Sequence, residues 1–202
     1  MSNSKKFKPT LILIALNIAF YIYTSFAGGN FLETEISMIS TYGQVNAFVF
    51  QGAYWQLFTS MFVHATIAHI GGNMLFLLVF GLRSEEMFSL SEYLTIYFLG
   101  GLTGNLLSLM LLPPLTPSVG ASGAIFALFG GAAVYARRSI SQSIISALVY
   151  AFFLLLLSSG PGVNIFAHLG GLAIGLLIGY VLATKRKPET QYTISYSYSP
   201  FP

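Results

Sequence analysis

Residues 164–187 read Asn164-Ile-Phe-Ala-His168-Leu-Gly-Gly171-Leu-Ala-Ile-Gly175-Leu-Leu-Ile-Gly179-Tyr-Val-Leu-Ala-Thr184-Lys185-Arg186-Lys187. Up to Thr184 the run holds one imidazole and no acid, lysine or arginine; three cations then close it. About 20 apolar residues are what an α-helix needs to cross a ~30 Å hydrocarbon core, and cations collect where such a helix meets water. The stretch therefore predicts a membrane-spanning helix with a histidine inside the bilayer. The whole chain agrees in composition. Of its 202 residues 55% are hydrophobic and 7% charged, against roughly 25% charged in a soluble domain. So few charges could not cover a water-facing surface of this size.

Six apolar spans follow from the pattern: about 10–27, 57–82, 93–112, 120–136, 142–159 and 164–184. All nine Lys and Arg lie before span one (Lys5, Lys6, Lys8) or after spans two (Arg83), four (Arg137, Arg138) and six (Lys185, Arg186, Lys187). The connections 28–56, 113–119 and 160–163 carry none. Under the positive-inside rule both termini, 1–9 and the tail 185–202, are expected in the cytoplasm, with those three loops outside. The tail, basic and then rich in Tyr, Ser and Pro, reads as disordered. The start Lys5-Lys6-Phe7-Lys8 has the look of a signal peptide, but the apolar stretch behind it is too long and no small-residue cleavage site follows. Loop 28–56 holds Tyr42, Phe48, Phe50, Tyr54 and Trp55, aromatics suited to the headgroup zone, and is expected to lie on the membrane surface. The net charge of +3 is accounted for by topology, so no nucleic-acid partner is expected. The chain has no cysteine, which excludes disulfides, thiol catalysis and thiolate-bound metal.

Polar side chains inside spans are costly and mark function by default. The candidates among them are His64, His69 and Asn73 in span two, Asn105 in span three, Ser122 in span four and His168 in span six. At 1.5 Å per residue, His69 stands roughly 21 Å above Arg83, Ser122 roughly 22 Å above Arg137, and His168 roughly 26 Å above Lys185. Three segments thus bring a hydroxyl and two imidazoles to one layer near the outer face. Small residues support close approach: Gly120-Ala121-Ser122-Gly123 opens span four, and Gly171 and Gly175 share the face of His168. His69 and Asn73, at i and i+4, share a face, while His64 on a continuous helix would point about 140° away from His69. Taken singly each feature has a structural explanation. Glycine stripes pack helices, and a lone buried histidine is usually a hydrogen-bonded structural residue.

Together, His64-Ala-Thr-Ile-Ala-His69-Ile-Gly-Gly-Asn73, Gly120-Ala-Ser122-Gly123 and Ala167-His168-Leu-Gly-Gly171-Leu-Ala-Ile-Gly175 resemble the motifs of the rhomboid protease family, with Trp55 and Glu85 as further matches. The resemblance covers about residues 10–184 and implies an all-α polytopic membrane protein, a compact six-helix bundle of the prokaryotic type in the cytoplasmic membrane. It implies Ser122 and His168 as catalytic pair, His69 and Asn73 as oxyanion-stabilising groups, and His64 as a structural neighbour. Gly120, Gly123, Gly171 and Gly175 would be packing residues near the site. Phe126 stands where the family often has a tyrosine stacked under the histidine. Gln56 stands where it often has an arginine, which argues against a lipid-headgroup contact there.

The mechanism implied is a Ser-His dyad. No aspartate exists in the chain, Glu33 and Glu35 lie in the outer loop, and Glu85 and Glu86 lie at the other end, so a carboxylate third member is not expected. Substrates would be single-span membrane proteins, unwound near the outer leaflet, with gate elements in the cap and in helix five, which ends at Ser158-Ser159-Gly160-Pro161-Gly162. No cofactor or metal is expected, since no H-E-x-x-H motif or intramembrane acid is present. The sequence is silent on oligomeric state. A non-catalytic helix-binding relative is the main alternative. A transporter is disfavoured by the lack of intramembrane carboxylates and inverted repeats.

Overall fold

A computed structural model describes residues 8–139, 143, 145–146, 149–150 and 162–186. Helix α1 (Pro9–Gly28) starts with Pro9 at its first position, where no N–H is needed, and stops at Gly29 in a left-handed conformation (φ 74°). Short elements follow: α2 (Ile36–Tyr42), β1 (Gln44–Val45), α3 (Asn46–Phe50) and α4 (Gln56–Thr59). The long helices α5 (Ile67–Met87) and α6 (Leu90–Leu111), the strand β2 (Pro117–Ser118), α7 (Ser122–Ser139) and α8 (Ile165–Lys185) complete the described chain. Among the described residues four helices, α1, α5, α6 and α8, are long and apolar enough to cross a membrane. Most of the expected fifth span, 142–159, with Ser158–Pro161 of the gate, lies outside the described residues, as do most of the N-terminal segment 1–9 and of the tail 185–202.

The bundle is arranged inside out relative to a soluble protein. Leu16, Ile22, Leu75, Val79 and Leu177 are more than half exposed on its outer faces, while Asn17, Ser84, Ser108 and glycines lie inside. Lipid tails solvate leucine as well as a core does, so close packing and internal hydrogen bonds hold the helices. The centre is α7. It carries few exposed residues, which explains why a helix of small residues ending in Arg137 and Arg138 can occupy this place without an apolar coat. Its seam with α8 runs backbone to backbone. A Cβ on Gly171 would fall 1.9 Å from Gly123 O, on Gly175 2.2 Å from Ala127 O, and on Gly179 2.3 Å from Gly131 O.

Span two differs from its expectation of 57–82. Residues 60–66 are not helical, and α5 starts at Ile67 because the Thr66 hydroxyl accepts the His69 N–H at 3.1 Å as an N-cap. His64 therefore sits in the segment before the helix, fully buried, with its ring centroid 5.2 Å from that of His69 rather than turned away from it. Thr34 fixes this segment, its hydroxyl donating to His64 O at 2.7 Å.

Loop 28–56 is anchored by buried amides. Gln44 Nε2 donates to Asn105 O at 3.0 Å, and Asn46 Nδ2 donates to Ser108 O at 3.0 Å. Strand β1 pairs with β2 in antiparallel register, Gln44 opposite Ser118. Gln56, 1% exposed, accepts Val45 N–H at 2.9 Å and donates to Ser40 O at 2.7 Å. It is an internal tie with no surface role. At the other end Glu85 accepts the Thr10 N–H at 2.8 Å, favourable beside the positive end of α1. Arg186 joins Met87 O, Glu92 and the Tyr135 hydroxyl there.

Candidate active site

Ser122 and His168 meet where α7 and α8 are closest. Their side chains touch at 2.8 Å, His168 Nε2 to Ser122 Oγ. The contact follows from local sequence. Gly123, next to the serine, and Gly171, one turn after the histidine, remove the side chains that would otherwise hold the two backbones apart. Phe126, one turn after Ser122, stacks against the imidazole with ring centroids 4.5 Å apart and 22° between planes. It supplies the ring expected under the histidine and so restricts the imidazole to an orientation facing the serine.

Ser122 is also the first residue of α7. Ala121 O already accepts Ile125 N–H at 3.0 Å, and the N–H groups of the first turn, Ser122 among them, have no intrahelical acceptor. They point with the positive helix end toward the space beside the hydroxyl. A cavity of about 540 Å³ occupies that space, lined by His69, Asn73, Ser122, Phe126 and His168 among others.

His69 reaches the cavity from α5. Its Nδ1 accepts Ala65 N–H at 3.4 Å, which leaves the ring proton on Nε2 as a donor. That nitrogen lies against Gly120, where an added Cβ would be 2.9 Å away from it and 3.9 Å from Ser122 Oγ. Gly120 adopts φ 120°, a backbone only glycine takes readily, and its N–H is held by Ser60 O at 2.9 Å. Asn73 lines the same cavity but donates its amide to His69 O at 3.0 Å, one turn back on its own helix. Its Oδ1 is buried without a hydrogen-bond partner among the described residues.

The structure thus brings together Ser122, His168, His69 and Asn73, with Gly120 and Phe126 beside them, while Gly123 and Gly171 pack on each other in the α7–α8 seam and Gly175 lies further along it against Ala127. His64 stands behind His69. Sequence reasoning passed over Asn164, which lines the cavity and caps α8, its Oδ1 accepting Phe166 N–H and Ala167 N–H, both at 3.1 Å. The available signal was an asparagine directly before a long apolar run. Ser118 and Ser108, its partners, carried no sequence signal.

Fold and site together are those of a polytopic membrane protein with a serine and a histidine joined across two helices. A family model described as Rhomboid domain matches residues 51–185, and the chain belongs to the rhomboid family. It is 39% identical over 135 residues to rhomboid-like protease 3 of Toxoplasma gondii, covering 61% of this chain and 50% of that one. It is 35% identical over 143 residues to RHOMBOID-like protein 1 of Arabidopsis thaliana, covering 68% and 36%. With rhomboid protease GluP of Bacillus subtilis it shares 31% over 182 residues, covering 87% and 35%. The chain spans half or less of the length of these relatives.

Proposed function

We propose that this protein is an intramembrane serine endopeptidase that cleaves transmembrane segments of other membrane proteins with a Ser122–His168 dyad. The observation that carries the reading is the 2.8 Å contact between His168 Nε2 and Ser122 Oγ at the edge of a cavity. In the acylation step Ser122 Oγ attacks the peptide carbonyl while His168 takes its proton and then returns it to the leaving amine. A water next attacks the acyl-enzyme, with His168 again as base. The negative oxygen formed in each step is met by Ser122 N–H and His69 Nε2–H. Asn73 joins them once its amide leaves the His69 carbonyl. Removal of one such donor typically costs ~10²–10³ in rate.

A helical substrate has its carbonyls hydrogen-bonded along its own axis, so the scissile segment must unwind before attack. Substrates with small or helix-breaking residues at the depth of Ser122 are favoured. Arg83 near the end of α5 and the basic ends of α7 and α8 support a cytoplasmic-membrane location with both termini inside and the cavity toward the outer leaflet. Relatives named as proteases support the activity. Detergent-purified protein supplied with a transmembrane substrate tests it. Cleavage should be blocked by a fluorophosphonate and unaffected by chelators. Cleavage that survives the fluorophosphonate and stops with chelator would contradict the serine mechanism, and binding without cleavage would leave a helix-binding protein.

A further inference from the structure

Asn164 makes four side-chain hydrogen bonds to three parts of the bundle. Its Oδ1 caps the start of α8, four residues before His168. Its Nδ2 donates to Ser108 Oγ of α6 at 2.7 Å and to Ser118 Oγ of β2 at 2.6 Å. Ser108 is fixed in turn by donating to Gly104 O at 2.8 Å. Ser118 begins the five-residue path Ser118-Val119-Gly120-Ala121-Ser122 that delivers the serine. The two ends of the reacting pair therefore hang from one amide: its oxygen sets where the His168 helix begins, and its nitrogen sets where the Ser122 loop lies. Asn164 and Ser118 both line the cavity, Ser118 only 4% exposed.

We propose that Asn164 is a positioning residue for the reaction, the strap that fixes the Ser122 loop against α8 so that Oγ and Nε2 stay in register. It touches no reacting atom and acts through Ser118. The proposal rests on the dyad reading, and its consequence differs from that of a stability residue. Loosening the strap lets the serine drift by a fraction of an ångström, which lowers kcat, because misplacement of about 1 Å can cost on the order of 10²-fold. KM changes much less than kcat, because Asn164 and Ser118 are only two of the many residues that line the cavity.

Asn164→Ser separates the two functions of the residue. Serine is a good helix cap but is too short to reach Ser108 and Ser118. Ser118→Ala cuts the same strap from the other end and leaves the cap intact. Cleavage of a transmembrane substrate by the purified full chain is measured with thermal melting of each variant. The expected result is a loss of about ten-fold or more in kcat for each single variant, with a much smaller change in KM and a fall in melting temperature no larger than the loss of one or two hydrogen bonds implies. The double variant should be no worse than the poorer single, since both remove the Asn164–Ser118 hydrogen bond. Wild-type kcat in Ser118→Ala, or losses that multiply in the double variant, would overturn the proposal. If Asn164→Ser does not fold, the kcat of Ser118→Ala alone decides. Ser122→Ala, run in parallel, reports on the dyad separately: full activity there sinks the proposed function, whereas a dead Ser122→Ala beside wild-type strap variants sinks only the strap.

Discussion

Gly120 carries two demands at once. Its φ of 120° strains any other residue, and the Cβ of an alanine there would sit 2.9 Å from His69 Nε2. Gly120→Ala should therefore displace the imidazole and lower kcat by at least the ~10² expected for a lost oxyanion donor. Steady-state cleavage kinetics check this, and wild-type kcat would mean that His69 has no part in the reaction. At this scale most of the residues that meet at the candidate site could be read from the sequence. Ser122, His69 and His168 stood out because a bilayer leaves few places for polar groups, so nearly every one is informative. Asn164 escaped because a residue at a helix boundary can be either a loop polar or a cap, and only its partners decide. His64 was misplaced because composition stays apolar through 57–66, while the Thr66 hydroxyl, a single capping group, starts α5 later.

Between elements, the α7–α8 seam is the contact on which the site depends. A Cβ at Gly175 would lie 2.2 Å from Ala127 O, a backbone atom that cannot move aside cheaply. Gly175→Ala should cost about 1–3 kcal/mol and reduce cleavage by parting Ser122 from His168. Gly71→Ala is the control. Among the described residues no atom beyond its chain neighbours and the adjoining backbone of its own helix lies within 4 Å of its added Cβ, so its melting temperature should match or exceed wild type. Equal melting of both variants would show that the seam tolerates separation. This packing could be read from the spacing Gly171, Gly175, Gly179, because small residues every four positions form one helix face. The elements β1, β2 and α2–α4 could not. Their formation depends on amides such as Gln44 and Asn46 finding carbonyls on α6 some 60 positions away, a tertiary outcome with no local pattern.

For the molecule as a whole, the sign pattern of the charges predicts an orientation that can be measured directly. The chain has no cysteine, so single cysteines can be introduced without background. Phe50→Cys and Leu115→Cys, at positions 69% and 76% exposed, should react with a membrane-impermeant maleimide in intact cells. Arg83→Cys should react only after permeabilisation. The same sidedness for all three would refute the alternating topology. The bundle's general form followed from apolar run lengths alone. Its inside-out character follows from the same physics, with the helix of smallest residues, α7, at the centre. The central claim remains that Ser122 becomes covalently bonded to substrate with help from His168. The most direct test reconstitutes the full chain in liposomes with a single-span substrate and compares wild type, Ser122→Ala and His168→Ala by cleavage and by mass spectrometry of the fluorophosphonate adduct. Wild type should cleave the substrate and carry the adduct on Ser122, and the two variants should do neither. An adduct on another residue, or cleavage by Ser122→Ala at the wild-type rate, would contradict it.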